Sequence, residues 1–233
     1  MRGYFITGTD TDVGKTIIAL GMIEKLQQQG DKVGVMKPIS AGCKITHDGL
    51  RNSDAMQLQQ QSNVRLDYHT INPYAFAPAI APHIAAADAG VRVDLETIYQ
   101  HYQTIAAQSD CVIVEGAGGW QTPLNDFQTI ADLAKRLQLP VILVVGMRLG
   151  CISHALLTVE SICATGLPLA GWVANQIQPE MSRLEENIAT LQQRIDAPLL
   201  GHVPYLESCD ATTVAQQLTL PPARNSLRPD WAL

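Results

Sequence analysis

The chain has 233 residues, 46% apolar and 16% charged, enough to bury a sizeable core and too apolar for a disordered polymer. Lys and Arg total 16 against 22 Asp and Glu, and the formal charge of −6 argues against a general affinity for nucleic acid or acidic membranes. The longest apolar run, residues 140–147, falls far short of the ~20 residues that span a bilayer, and no charged, then apolar leader opens the sequence.

In chain order, residues 4–7 form the first apolar run, and Ala19, Met22, Ile23 and Leu26 follow it at helical spacing. A second run covers 33–36. The segment between Pro38 and Gln108 carries four prolines up to Pro82 and is expected to hold substrate-facing loops and short helices. Further runs cover 111–114 and 141–145, separated by a stripe of Ile130, Leu133, Ala134 and Leu137. The last two runs, 169–174 and 199–203, flank a third stripe of Leu184, Ile188, Leu191 and Ile195. Short runs rich in Val, Ile and Leu, alternating with amphipathic segments, predict an α/β fold whose mostly parallel sheet is covered by helices on both faces. One domain over residues 1–217 is expected, followed by a loosely ordered tail at 218–233. Cys43, Cys111, Cys151, Cys163 and Cys209 form no CxxC pair, so reduced thiols and a cytoplasmic protein are expected.

The first run ends in Gly8-Thr9-Asp10-Thr11-Asp12-Val13-Gly14-Lys15-Thr16 and passes directly into the first amphipathic stripe. Successive backbone N–H groups at a helix N-terminus cradle phosphate, and glycines permit the close approach. Lys15 would then reach the β and γ phosphates, and the Thr16 hydroxyl would ligate a bridging Mg2+. The common pattern has four residues between its glycines, whereas five separate Gly8 from Gly14. The bland alternative is a helix cap followed by an ordinary lysine. Glu115 ends the run at 111–114 and is followed by Gly116-Ala117-Gly118-Gly119, which leaves room for a ligand at the carboxyl end of a strand. That glycine run equally suits a plain flexible turn. Asp54 is a second candidate carboxylate, although Ser53-Asp54 equally resembles a helix start. Lys37, before Pro38, ends the second run and would meet a γ-phosphate opposite Lys15, unless it is a solvated strand-end lysine.

Together these segments, with Gly49-Leu50-Arg51-Asn52-Ser53-Asp54, Leu149-Gly150-Cys151-Ile152 and Gly171-Trp172-Val173-Ala174-Asn175, resemble the dethiobiotin synthetase family of P-loop NTPases over roughly residues 1–206. The family shares the enlarged phosphate loop. The resemblance implies ATP-dependent carboxylation of 7,8-diaminopelargonate by CO2 to a carbamate, whose phosphorylated form closes to a cyclic urea. It implies Lys15 and Lys37 as the residues that stabilise the transferring phosphoryl group, and Thr16, Asp54 and Glu115 as magnesium ligands. ATP is implied at Asp12, Val13, Gly14, Lys15, Thr16 and Ile17, and at Asp54, Glu115, Gly116, Ala117 and Gly118. Its base is implied beside Asn175, Gln176, Pro204, Tyr205 and Leu206, with the Asn175 amide reading adenine. The diamine is implied at Thr11, Lys37, Ala41 and Gly118, with its carboxylate on Gly150, Cys151, Ile152 and Ser153 across a homodimer interface.

Two positions depart from the family pattern: Ala41 stands where a hydroxyl residue is usual, and Ser153 where Asn is usual. Ser153 retains the means to cap the helix or donate one hydrogen bond. Two lone histidines, His83 and His154, read as packing or surface residues rather than general bases. The nearest competing class is the partition-type ATPase, which has a signature lysine five positions before the loop lysine; this chain has Asp10 there, and its tail is neither basic nor amphipathic. A cobyrinate-type amidotransferase needs a glutaminase domain for which the chain is too short. A structural nucleotide-binding module is the third competitor.

Overall fold

A computed structural model describes residues 2–206 and 210–222. The chain opens with β1 (Arg2–Gly8), α1 (Lys15–Gln28), β2 (Val33–Met36) and the short β3 (Ile39–Ser40). A small hairpin of β4 (Lys44–Thr46) and β5 (Gly49–Arg51) leads into α2 (Ser53–Gln61), α3 (Tyr68–Ile71), β6 (Tyr74–Ala75), α4 (Pro82–Asp88) and α5 (Leu95–Ala106). Then follow β7 (Cys111–Glu115), α6 (Ile130–Leu137), β8 (Val141–Met147), α7 (Cys151–Ala164) and β9 (Leu169–Gln176). The described residues end with α8 (Leu184–Arg194), β10 (Leu199–Val203) and α9 (Ala211–Gln217). All six apolar runs lie in the strands of one parallel sheet, in the order β10-β9-β8-β1-β7-β2.

Successive side chains of a strand face opposite sides, and the buried strands use both sides. Phe5, Val112, Val114, Leu143 and Trp172 pack under α5, α6, α7 and α8, joining Ile98, Ile130, Leu133, Ile162 and Leu191. Tyr4, Ile6, Ile113, Ile142 and Val173 face the other way, against Ile18, Met22 and Leu26 of α1 and Val214 of α9. The three predicted stripes are the buried faces of α1, α6 and α8. Helix starts follow local chemistry: Asn52 accepts from Asp54 N and Ala55 N ahead of α2, and Asp94 accepts from Glu96 N and Thr97 N ahead of α5.

The chain leaves β1 toward β2 on one side of the sheet, and leaves β8 toward β9 on the other. The strand order thus reverses beside β1, and open α/β sheets bind ligands at the carboxyl ends of the strands near such a point. Of the segment assigned to a tail, Leu218 is buried and Thr219 N donates to Leu200 O at 2.7 Å; residues 223–233 lie outside the described residues. Cys43, Cys111, Cys151 and Cys163 carry free thiols, and Cys209 lies outside the described residues. Among the described residues, no helix is long and apolar enough to cross a membrane.

Candidate active site

The carboxyl ends of β1, β2 and β7 and the start of α2 surround a cavity of about 960 Å3. Asp12 and Gly14 both take positive φ, 57° and 88°, which turns the loop after β1 so that α1 starts with its N-terminus at the cavity. A Cβ on Gly14 would lie 2.1 Å from Asn175 Nδ2, so only glycine fits this turn.

Lys15 is 7% exposed and its Nζ donates to the Asp10 carbonyl at 2.8 Å, folding the side chain back over its own loop. Burial, assisted by the charge of Lys37, pulls its pKa from 10.5 down to about 8. Lys37 follows β2, and its Nζ donates to Glu115 Oε1 at 2.6 Å and to Asp54 Oδ2 at 3.3 Å. Burial alone would lower the pKa of Lys37, but the two carboxylates outweigh it and hold the ammonium above its ordinary value. Thr16 donates from Oγ1 to the same Glu115 Oε1 at 2.9 Å. Asp54 comes from the first turn of α2, so the helix start and the candidate carboxylate expected from Ser53-Asp54 are one feature.

Glu115 is fully buried, and its Oε2 has no hydrogen-bond partner. A buried carboxylate oxygen without a donor is costly unless a ligand reaches it. With Thr16 Oγ1 and the half-buried Asp54, it makes an all-oxygen donor set, which fits a hard cation such as Mg2+. Among the described residues, no group of three or more His, Cys, Asp or Glu gathers to cage a metal, so phosphate and water would complete such a coordination sphere.

The cavity is also lined by Thr11, Asp12, Gly14, Ala41, Ala117 and Gly118, which joins most of the residues expected for phosphates and diamine. Its far wall, Ala79, Ile80, Ala81 and Pro82, lies in the segment expected to hold substrate-facing loops, where no polar signature singles these residues out. Gly116 is packed beneath the site, where a Cβ would meet Phe5 and Ile130 at 3.2 and 3.3 Å. Val13 is buried, and Ile17 lies half-buried in the first turn of α1.

The residues expected around the base do not line this cavity. Asn175 is buried and its Nδ2 donates to Val13 O at 2.8 Å, so this amide braces the phosphate loop. Gln176 ends β9 and donates to Gln178 O and Pro179 O; Pro204, Tyr205 and Leu206 follow β10. Gly150, Cys151, Ile152 and Ser153 also lie outside the cavity, at the N-terminus of α7. Gly150, in the left-handed conformation, holds the cap position with no side-chain bond, so Ser153 is not the cap that sequence allowed. Arg148, just ahead of this helix, pairs with Asp10 of the phosphate loop at 2.5 Å. Asp10 and Arg148 are 138 positions apart, and nothing in the sequence alone linked the two residues.

The chain matches the family described as an AAA domain over residues 2–213. It is 50% identical over 223 residues to the ATP-dependent dethiobiotin synthetase BioD of Pseudomonas aeruginosa (strain UCBPP-PA14), covering 95% of this chain and 98% of the relative. It is 51% identical over 221 residues to the protein of the same name from Cellvibrio japonicus (strain Ueda107), covering 95% of this chain and 97% of the relative. Among solved structures, the MinC:MinD cell division protein complex of Aquifex aeolicus matches with a TM-score of 0.56 at 16% identity, over 94% of this chain and 87% of that one. The signal recognition particle receptor FtsY of Elizabethkingia anophelis with GDP matches with a TM-score of 0.51 at 13% identity, over 94% of this chain and 60% of that one; both show the fold alone.

Proposed function

The chain belongs to the ATP-dependent dethiobiotin synthetase family, and from that premise we propose how its residues serve the reaction. It is an ATP-dependent enzyme of biotin biosynthesis that forms dethiobiotin. One amine of 7,8-diaminopelargonate adds to CO2 and loses a proton, giving a carbamate. A carbamate oxygen then takes the γ-phosphoryl group, releasing ADP. The second amine attacks the carbamate carbon, phosphate leaves, and the loss of another proton completes the ring. This sequence needs no covalent enzyme nucleophile, only alignment and charge neutralisation.

Lys15 leaves the Asp10 carbonyl and meets the β and γ phosphates, regaining its full charge as anionic oxygens surround it. Lys37, kept charged by Glu115 and Asp54, neutralises the carbamate and the transferring group from the opposite side. Thr16, Asp54 and Glu115 would hold Mg2+, which when bound would supply positive charge against the transferring phosphoryl group. Thr11, Ala41 and Gly118 border the diamine, and Ala41 removes one hydrogen bond from its amine end. Asp12, Val13, Gly14, Ile17, Gly116 and Ala117 shape the phosphate and ribose side, and the base lies toward Asn175, Gln176, Pro204, Tyr205 and Leu206.

A homodimer would bring Gly150, Cys151, Ile152 and Ser153 to the partner's substrate carboxylate. The 98% exposed Leu149 and 64% exposed Leu157, beside and on α7, are apolar surface that such an interface would cover. The working unit includes the buried Leu218 and the Thr219 bond to Leu200, past the boundary expected at 217, and acts in the cytoplasm. The single observation that carries the site assignment is the convergence of Lys15, Thr16, Lys37, Asp54 and Glu115 on one cavity. Incubation with the diamine, bicarbonate and Mg-ATP, followed by mass analysis, should yield the cyclic urea; unreacted diamine would overturn the assignment.

A further inference from the structure

Asn72, the residue after α3, is 2% exposed and lies outside the cavity that holds the reacting groups. Its side chain nevertheless uses its full hydrogen-bonding capacity. Nδ2 donates to Lys37 O at 2.6 Å and to Tyr74 O at 3.3 Å, and Oδ1 accepts from Ser40 Oγ at 2.8 Å and from Tyr68 Oη at 2.9 Å. The backbone of the preceding residue joins in, because Lys37 N donates to Ile71 O at 2.9 Å. Both polar backbone groups of Lys37 are thus held by residues 71 and 72, which fixes the backbone from which the ammonium projects.

Tyr68 carries the connection onward. Its single hydroxyl proton goes to Asn72, which leaves the oxygen to accept from Asn52 N at 2.7 Å. Asn52 caps α2 through Asp54 N and Ala55 N, and its Nδ2 reaches Ala41 O at 3.3 Å. The Arg51 guanidinium lies 4.3 Å over the Tyr68 ring and holds the phenol in place. A continuous chain of bonds therefore runs from Lys37 through Asn72, Tyr68 and Asn52 to Asp54, whose carboxylate returns to Lys37 Nζ at 3.3 Å.

We propose that Asn72 and Tyr68 are positioning residues that set the separation of Lys37 and Asp54 before substrates arrive. The proposal rests on the assignment of Lys37 and Asp54 to phosphoryl transfer given above. Asn72 and Asn52 are buried and Tyr68 is part-buried, so the ring holds its members in one arrangement, and reacting groups tolerate displacement of only about 0.5 Å before rate is lost. Neither residue touches the cavity, so their loss should leave substrate binding in place and lower the rate of the step that needs both groups aligned.

The test compares Tyr68→Phe, which deletes the hydroxyl but keeps the ring beneath Arg51, with Asn72→Ala. Tyr74→Phe is the control, because Tyr74 Oη accepts from Asp94 N and is outside the ring. Tyr68→Phe is expected to lose about tenfold in kcat, with KM for ATP and diamine changed less than twofold, as losses of outer-shell partners do. Calorimetric Mg2+ titration in the presence of a saturating non-hydrolysable ATP analogue should show severalfold weaker binding, while Tyr74→Phe binds as the parent does. A kcat within twofold of the parent in Tyr68→Phe, a loss expressed wholly in KM, or an equal loss in Tyr74→Phe would overturn the proposal. Should Asn72→Ala fail to fold, Tyr68→Phe alone decides. Lys37→Ala is assayed alongside: if it is inactive while Tyr68→Phe is fully active, only the positioning role falls, whereas full activity in Lys37→Ala removes the site assignment and this proposal with it.

Discussion

Lys15 gives the sharpest quantitative handle on the phosphate loop. Its ammonium is 7% exposed and its pKa is about 8, against an ordinary 10.5, which corresponds to roughly 3 kcal/mol against the charged form. Arrival of a triphosphate reverses the balance, because anionic oxygens favour the charged lysine, and the bound pKa rises well above that of the free protein. The complex therefore holds more protons than its separated parts above pH 8, and affinity for ATP should fall as pH rises. At pH 9 most of the free lysine is neutral, so the number of protons taken up on binding should approach one, and it should fall toward zero at pH 7. Calorimetric titration with Mg-ATP in buffers of different ionisation enthalpy, in the absence of diamine, measures this number directly. Lys15→Arg provides the control, since a guanidinium stays charged throughout and should show no uptake. Absence of uptake at pH 9 in the parent protein, or an equal uptake in Lys15→Arg, would refute the reasoning.

Lys37→Ala should fold normally and lose on the order of 10²-fold or more in turnover, read from ADP release, as removal of a transition-state charge contact does. Glu115→Ala should raise the Mg2+ concentration for half-maximal activity by at least about tenfold; an unchanged magnesium titration would count against its role. Gly14→Ala introduces a Cβ 2.1 Å from Asn175 Nδ2 at a φ of 88°, so nucleotide binding should weaken by about tenfold or more in a calorimetric titration. Gly201→Ala places a Cβ 2.1 Å from Gln217 O, away from the cavity. That crowding should cost about 1–3 kcal/mol and lower the melting temperature by several degrees, with kcat retained.

Strands of a parallel sheet are buried on both faces and so read as continuous apolar runs, which is why all six were legible in the sequence. The phosphate loop was equally legible, since its glycines, Lys15 and Thr16 are contiguous. What spacing along the chain could not supply was the meeting of distant segments. Lys37 and Glu115 are 78 positions apart and meet at 2.6 Å only because β2 and β7 are neighbours in the sheet. Asn72 and Tyr68 are isolated polar residues in a proline-broken segment, and no periodicity marks them as a pair. α9 escaped notice because its stripe is short: Val214 and Ala215 alone are buried, fitted against the bare Gly21 of α1. Asn175 shows how one residue type suits two roles. An amide suited to a purine edge also suits a loop carbonyl, and its Nδ2 is bonded to Val13 O.

The central claim is that the two lysines and the Glu115 carboxylate converge to activate a carbamate by phosphoryl transfer. Its most direct test is a single-turnover reaction with 13C-bicarbonate, the diamine and Mg-ATP, run with the parent protein and with Lys37→Ala. The parent should incorporate the label into the ureido carbonyl of dethiobiotin with one ADP per ring formed, and Lys37→Ala should form neither product at a comparable rate. Labelled cyclic urea without ADP, or equal incorporation by Lys37→Ala, would contradict the account.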